Sequence, residues 1–109
     1  MQIAQQQQGD FLVLTLEGDL DAVTAPTFEA ICDKLLEAGT RYVVLDLAGV
    51  SFISSAGLRS ILILAKKLRP VQGELRFARM QAVVTEVFVL CGFDALFSTF
   101  PDVASAIVR

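Results

Sequence analysis

Three short runs constrain the fold most: Phe11–Glu17 (FLVLTLE), Tyr42–Leu47 (YVVLDL) and Glu74–Ala78 (ELRFA). Each is rich in apolar residues with no helical spacing, and YVVLDL is β-branched as well. Such runs suit strands covered on both faces, which is the environment of a parallel sheet between helices. The segments between them carry helical signals. Thr24 is placed as an N-cap with Pro26 in the following first turn, and Phe28, Ile31, Leu35 and Leu36 recur at helical spacing up to about Ala38. Gly39 stops that helix. Leu58, Ile61, Leu62, Ala65 and Leu68 mark a second helix that ends before Pro70, and Val83, Val84, Val87, Phe88 and Leu90 a third that ends at Gly92. Phe97–Phe100 reads as a short strand or extended link, and Pro101-Asp102 opens a last helix over Val103–Val108. Strands alternating with about four helices predict an α/β fold around a central, mostly parallel β-sheet. The first strand is expected at an antiparallel hairpin edge, with its start near the glutamine run Gln5–Gln8.

A chain of 109 residues with 54% hydrophobic residues supports one core, so residues 1–109 are expected to form a single domain. No apolar run approaches the roughly 20 residues of a membrane span; the best, Ser60–Ala65, is stopped by Lys66 and Lys67. The polar start Met1–Asp10 does not look like a secretion signal, so a cytoplasmic location is expected. Net charge is −3. Lys66, Lys67 and Arg69 form one basic cluster at a helix end, where cations suit the helix dipole, and not a nucleic-acid surface. Cys32 and Cys91 lie far apart in apolar helical segments and are expected as buried free thiols. No zinc spacing is present, and no metal or cofactor is expected.

The chain contains no histidine. A Ser-His-Asp or Cys-His centre within it is therefore excluded, as are histidine-ligated metals. This matters for the loop after the second apolar run, Gly49–Arg59 (GVSFISSAGLR), where two hydroxyls sit between a strand and a helix. No base is placed to make either a nucleophile. Phe52, Ile53 and Leu58 are expected in the core. Ser54 is well placed as an N-cap, a role worth ~1 kcal/mol, with Ser55 in the first helical turn and Gly57 allowing close backbone approach. The same position suits a switch. A helix start exposes unpaired N–H groups and partial positive charge, so an added phosphate is tolerated by the helix but not by a partner packed on that surface.

The stretch Phe52-Ile53-Ser54-Ser55-Ala56-Gly57-Leu58 resembles the signature of STAS domains, in particular the strand-then-"F-M-D-S-S/T-G-L" motif of the bacterial anti-sigma factor antagonists. Glu17–Pro26 (EGDLDAVTAP) is similar to that family's first turn and helix start, and VVLDLAGVSFI to the strand before the motif. The order of elements agrees over essentially all 109 residues. Two positions depart: Ser54 stands where the family has aspartate, and Ala56 where it has Ser or Thr.

The resemblance implies a domain that catalyses nothing and works by partner switching. Unphosphorylated, it binds an anti-sigma factor serine kinase, which supplies its own ATP, and so releases a sigma factor. Phosphorylation of Ser55, with Ser54 as the other possible acceptor, breaks the complex, and a serine phosphatase restores it. The implied partner surface comprises Asp19, Asp21, Ser54, Gly57 and Arg59. Turn chemistry alone also explains Asp19 and Asp21. Arg59 reads equally as a solvated first-turn residue, and Asp46 as structural. Two other roles belong to relatives of this kind: a constant subunit of a lipid- or anion-transport assembly, and a scaffold in a stress-sensing complex.

Overall fold

The computed structural model describes residues 1–109. Five strands form one sheet in chain order: β1 (Gln2–Gln8), β2 (Phe11–Glu17), β3 (Tyr42–Gly49), β4 (Glu74–Ala78) and β5 (Ser98–Phe100). The β1–β2 pair is antiparallel, closed by the two-residue turn Gly9-Asp10 with Gly9 at φ +60°. All other pairs are parallel. The helices are α1 (Ala25–Glu37), α2 (Ser55–Leu68), α3 (Ala82–Leu90), α4 (Phe93–Leu96) and α5 (Val103–Ala106).

The apolar runs have the both-sided burial their sequences predict. On one face of β2 and β3, Leu14, Leu16, Val43, Leu45 and Leu47 join the main core with Phe28 and Cys32 of α1, Ile61 and Leu64 of α2, and Val84 and Phe88 of α3. On the other face, Phe11, Val13, Val44 and Ala78 pack around Ala106 of α5. Phe77, Phe88, Phe93 and Phe97 close the β4 end as edge-to-face pairs with centroids 5.0–5.5 Å apart. Burying each large side chain contributes about 1.5–3 kcal/mol, so the sheet and the main helical layer form a rigid platform for its loops.

Several boundaries differ from expectation. The first strand begins at Gln2, since its place is set by pairing with all of β2 and by Ile3 against the main core, not by its own hydrophobicity. There are five helices. Gly92, at φ +76°, ends α3 in the left-handed conformation, and the chain re-enters a single helical turn as α4. The last helix stops at Ala106. Val83 and Leu90 of α3 are 55% and 86% exposed; Val84 and Phe88 are the residues that point inward. Cys32 is buried, and burial together with Asp33 and Glu29 pushes its thiol up to about 12, so it stays protonated and unreactive. Cys91, expected to be buried, is exposed because it lies one residue past α3 in the turn leading to Gly92.

Candidate functional site

Two loops leave the carboxyl ends of adjacent parallel strands, one after β2 and one after β3, and they are stitched together by backbone. Gly18 N–H donates to Gly49 O (3.0 Å), Leu20 N–H to Phe52 O (3.0 Å) and Ser54 N–H to Leu20 O (2.9 Å). Leu20 and Ile53 form a parallel bridge and both are buried. That pairing fixes which way each neighbour faces. Ile53 points in, so Phe52, one residue earlier, points out and is 50% exposed, contrary to the expectation that it belongs in the core.

The start of α2 is built on this frame. Ser54 is the N-cap in extended conformation, and its Oγ accepts the Gly57 N–H at 3.3 Å. Ser55, the first helical residue, is exposed. Gly57 is buried against the β2 loop: a Cβ built there falls 2.4 Å from Leu20 O and 2.9 Å from Leu20 Cγ. No side chain larger than hydrogen fits without moving backbone. Thus Gly57 carries the packing of the helix start, while Ser54 and Ser55 occupy its rim.

The β2 loop is ordered by its own polar groups. The Asp21 carboxylate accepts from Val23 N–H (2.9 Å) and Thr24 N–H (3.1 Å). Thr24 sits at the N-cap position of α1 as expected, but its hydroxyl does not cap the helix. It accepts from Asp21 N–H (3.0 Å) and donates to Asp19 O (2.8 Å). The Thr24 and Val23 N–H groups, with the Thr24 hydroxyl, hold the Asp21 carboxyl below its ordinary value. Asp19 is exposed and receives Ser51 Oγ at 3.4 Å. Val23, at the tip of this loop, is 84% exposed.

Between α1 and α2 the two loops open into a cleft of about 500 Å³ lined by Ala25, Pro26, Glu29, Ser55, Arg59 and Ile63, among others. Its two helices are tied by Ser60, whose buried hydroxyl donates to Glu29 Oε2 at 2.7 Å. Arg59 is exposed and makes no ion pair. The structure therefore brings Asp19, Asp21, Ser54, Ser55, Gly57 and Arg59 to one end of the sheet. Phe52, Val23 and the Ser60–Glu29 bond were not foreseen as parts of it. Ser60 does carry a signal: it is a hydroxyl three residues after Gly57 and four before Leu64, on the buried stripe of α2.

Asp46 lies apart from this group. Buried near the end of β3, it accepts two bonds from the Arg79 guanidinium, at 3.0 and 2.5 Å, in agreement with a structural role. No cluster of three or more His, Cys, Asp or Glu side chains is placed to hold a metal ion, and no helix is long and apolar enough to cross a membrane.

A family model described as the STAS domain matches residues 2–106. Among curated proteins, the chain is similar to BtrV of Bordetella bronchiseptica, named as a candidate anti-sigma factor antagonist. Identity is 39% over 97 residues, covering 89% of this chain and 84% of BtrV. Among solved structures, a candidate anti-sigma factor antagonist from Thermotoga maritima superposes with a TM-score of 0.91 at 21% identity, covering 96% of this chain and 91% of that one. The Bacillus cell fate determinant SpoIIAA in its phosphorylated form superposes with a TM-score of 0.76 at 18% identity, covering 97% and 96%. At these identities the two superpositions establish the shared fold.

Proposed function

The chain belongs to the STAS domain family, and from that premise we propose that it is an anti-sigma factor antagonist that works by phosphorylation-controlled partner switching. Residues 1–109 act as one unit in the cytoplasm. The unphosphorylated domain binds an anti-sigma factor serine kinase, the kinase uses its own ATP to phosphorylate Ser55, and a serine phosphatase reverses the modification. The domain contributes binding and carries out no reaction of its own.

The observation that carries this reading is the placement of Ser55. It is an exposed hydroxyl on the first turn of a helix whose start is fixed by backbone and by Gly57, beside outward-facing apolar side chains on the same strand-end surface. Val23 and Phe52 supply apolar area for a partner, and Asp19 and Arg59 supply charge at its edge. A phosphate on Ser55 adds about −1.5 to −2 charges there. The helix start accepts that charge, whereas a partner packed over it meets a like-charge or desolvation penalty of several kcal/mol. A penalty of ~3 kcal/mol weakens binding roughly a hundredfold.

Capture of the chain's partners from lysate with mass spectrometry identifies the kinase. Incubation with that kinase and ATP, followed by peptide mapping, then tests the site. Phosphate on Ser55 supports the reading; phosphate mainly on Ser54 or Ser51 shows that the acceptor is another residue of the loop.

A further inference from the structure

We infer that Arg59 is an in-chain clamp for a phosphate on Ser55, so that modification both adds an anion to the partner surface and withdraws a cation from it. This rests on the reading of Ser55 as the acceptor.

Several observations support the clamp. Arg59 follows Ser55 by four residues on α2, the spacing at which helical side chains meet, and both line the same cleft. Arg59 has no ion pair in the unmodified protein. Its competitor for charge is also engaged elsewhere: Glu29, the one carboxylate lining the cleft, accepts the Ser60 hydroxyl at 2.7 Å. The first turn of α2 contains no acidic residue, so nothing there already compensates the helix start. Ala56 and, from α1, Ala25 are among the small residues that line the same cleft as Ser55 and Arg59.

A phosphate on Ser55 offers three acceptor oxygens, and a guanidinium binds such a group in a planar, two-bonded arrangement. Unmodified, Arg59 remains available to a carboxylate of a partner. Phosphorylated, it turns back onto its own helix. Release of the partner thus has two parts, and a charge at residue 55 without Arg59 performs only one of them. Lysine in place of Arg59 keeps the charge but not the paired geometry.

The test uses phosphoserine introduced at position 55 by genetic encoding in the full chain, so no kinase is required. The readout is the second ionisation of the phosphate, followed by ³¹P NMR against pH in the parent, Arg59→Gln and Arg59→Lys proteins. The phosphate is expected to ionise roughly 0.15–0.4 pH unit lower with Arg59 than with glutamine, and lysine should fall between them. Thermal melts of the unmodified proteins should agree, because Arg59 touches no charged partner before modification. Identical phosphate titrations in all three would overturn the clamp while leaving Ser55 as acceptor untouched. Failure of the kinase to modify Ser55 would instead remove the acceptor reading, whatever the titrations show.

Discussion

Two of the three loops that lead from a parallel strand into a helix of the main layer are held in opposite ways. The loop from β3 into α2 is fixed by backbone: three main-chain bonds tie it to the β2 loop, and its single tight packing point is a glycine. The loop from β4 into α3 is fixed largely by side chains. Arg79, at φ +56°, reaches back to Asp46, and Gln81 Nε2 donates to Ala48 O at 2.8 Å; one main-chain bond, from Arg79 N–H to Phe100 O, joins them. Gln81 gives α3 no side-chain cap, whereas Ser54 caps α2. The difference separates two uses of a strand end. Where the backbone holds the shape, side chains such as Phe52, Ser55 and Arg59 stay exposed and uncommitted. Where side chains hold the shape, their substitution disturbs the fold.

This contrast is broken or sharpened most severely at Gly57. Gly57→Val should lower stability by roughly 3 kcal/mol or more, since the new Cβ meets a carbonyl that is itself bonded to Ser54 N–H. Chemical denaturation measures it, and a loss below about 1 kcal/mol would mean the two loops separate easily. In the other loop, Arg79→Ala leaves the buried Asp46 carboxylate with only Ala48 N–H at 3.3 Å. The expected loss is about 1–3 kcal/mol, between the values for buried and exposed ion pairs because the Arg79 side chain is 49% exposed. A neutral result would show that the β4 loop is not held by this pair.

Ser54→Ala removes the α2 cap and should cost ~1 kcal/mol, while Ser55→Ala should stay within about 0.5 kcal/mol of the parent. Equal losses in their melts would contradict the assignment of Ser54 to structure and Ser55 to contact. The smallest effect is expected in the acid arm. The folded pKa of Asp21 lies below its unfolded value, so its carboxylate adds stability at pH above the unfolded value near 4. That contribution disappears as pH falls through the folded value. The stability difference between parent and Asp21→Asn, from urea midpoints, should therefore shrink between pH 7 and pH 3; a gap that widens on acidification would reverse the assigned sign.

The strands were legible because both-sided burial leaves continuous apolar runs, and the largely parallel pairing follows from their alternation with helices. The β2 and β3 loops had to lie together once those strands were parallel neighbours, which is why Asp19, Asp21, Ser54, Gly57 and Arg59 come to one end of the sheet. What stayed hidden has physical reasons. Gln2–Gln8 pairs through its backbone, and glutamines give no hydrophobic signal of that. The α3 sequence AVVTEVFVL is apolar nearly all round, so periodicity cannot say that Val84 and Phe88 face in while Val83 and Leu90 face out. Phe52 was misjudged because its direction is set by a bridge between residues 33 positions apart, Leu20 and Ile53, and not by its own character. The choice of Ser55 over Ser54 as acceptor came from the motif's register; the structure adds that Ser54 is engaged as a cap and Ser55 is not.

The measurement that bears most directly on the central claim is a calorimetric titration of the cognate kinase with three versions of the chain: parent, Ser55→Asp, and phosphoserine at 55. Thermal melts of each run alongside. Negative charge at the first turn of α2 should leave the fold as stable as before, or more stable by about 0.3–1 kcal/mol. Affinity should fall partially for aspartate and roughly a hundredfold for phosphoserine. If the phosphoserine protein, folded, binds the kinase as tightly as the parent, charge at Ser55 does not control the partner.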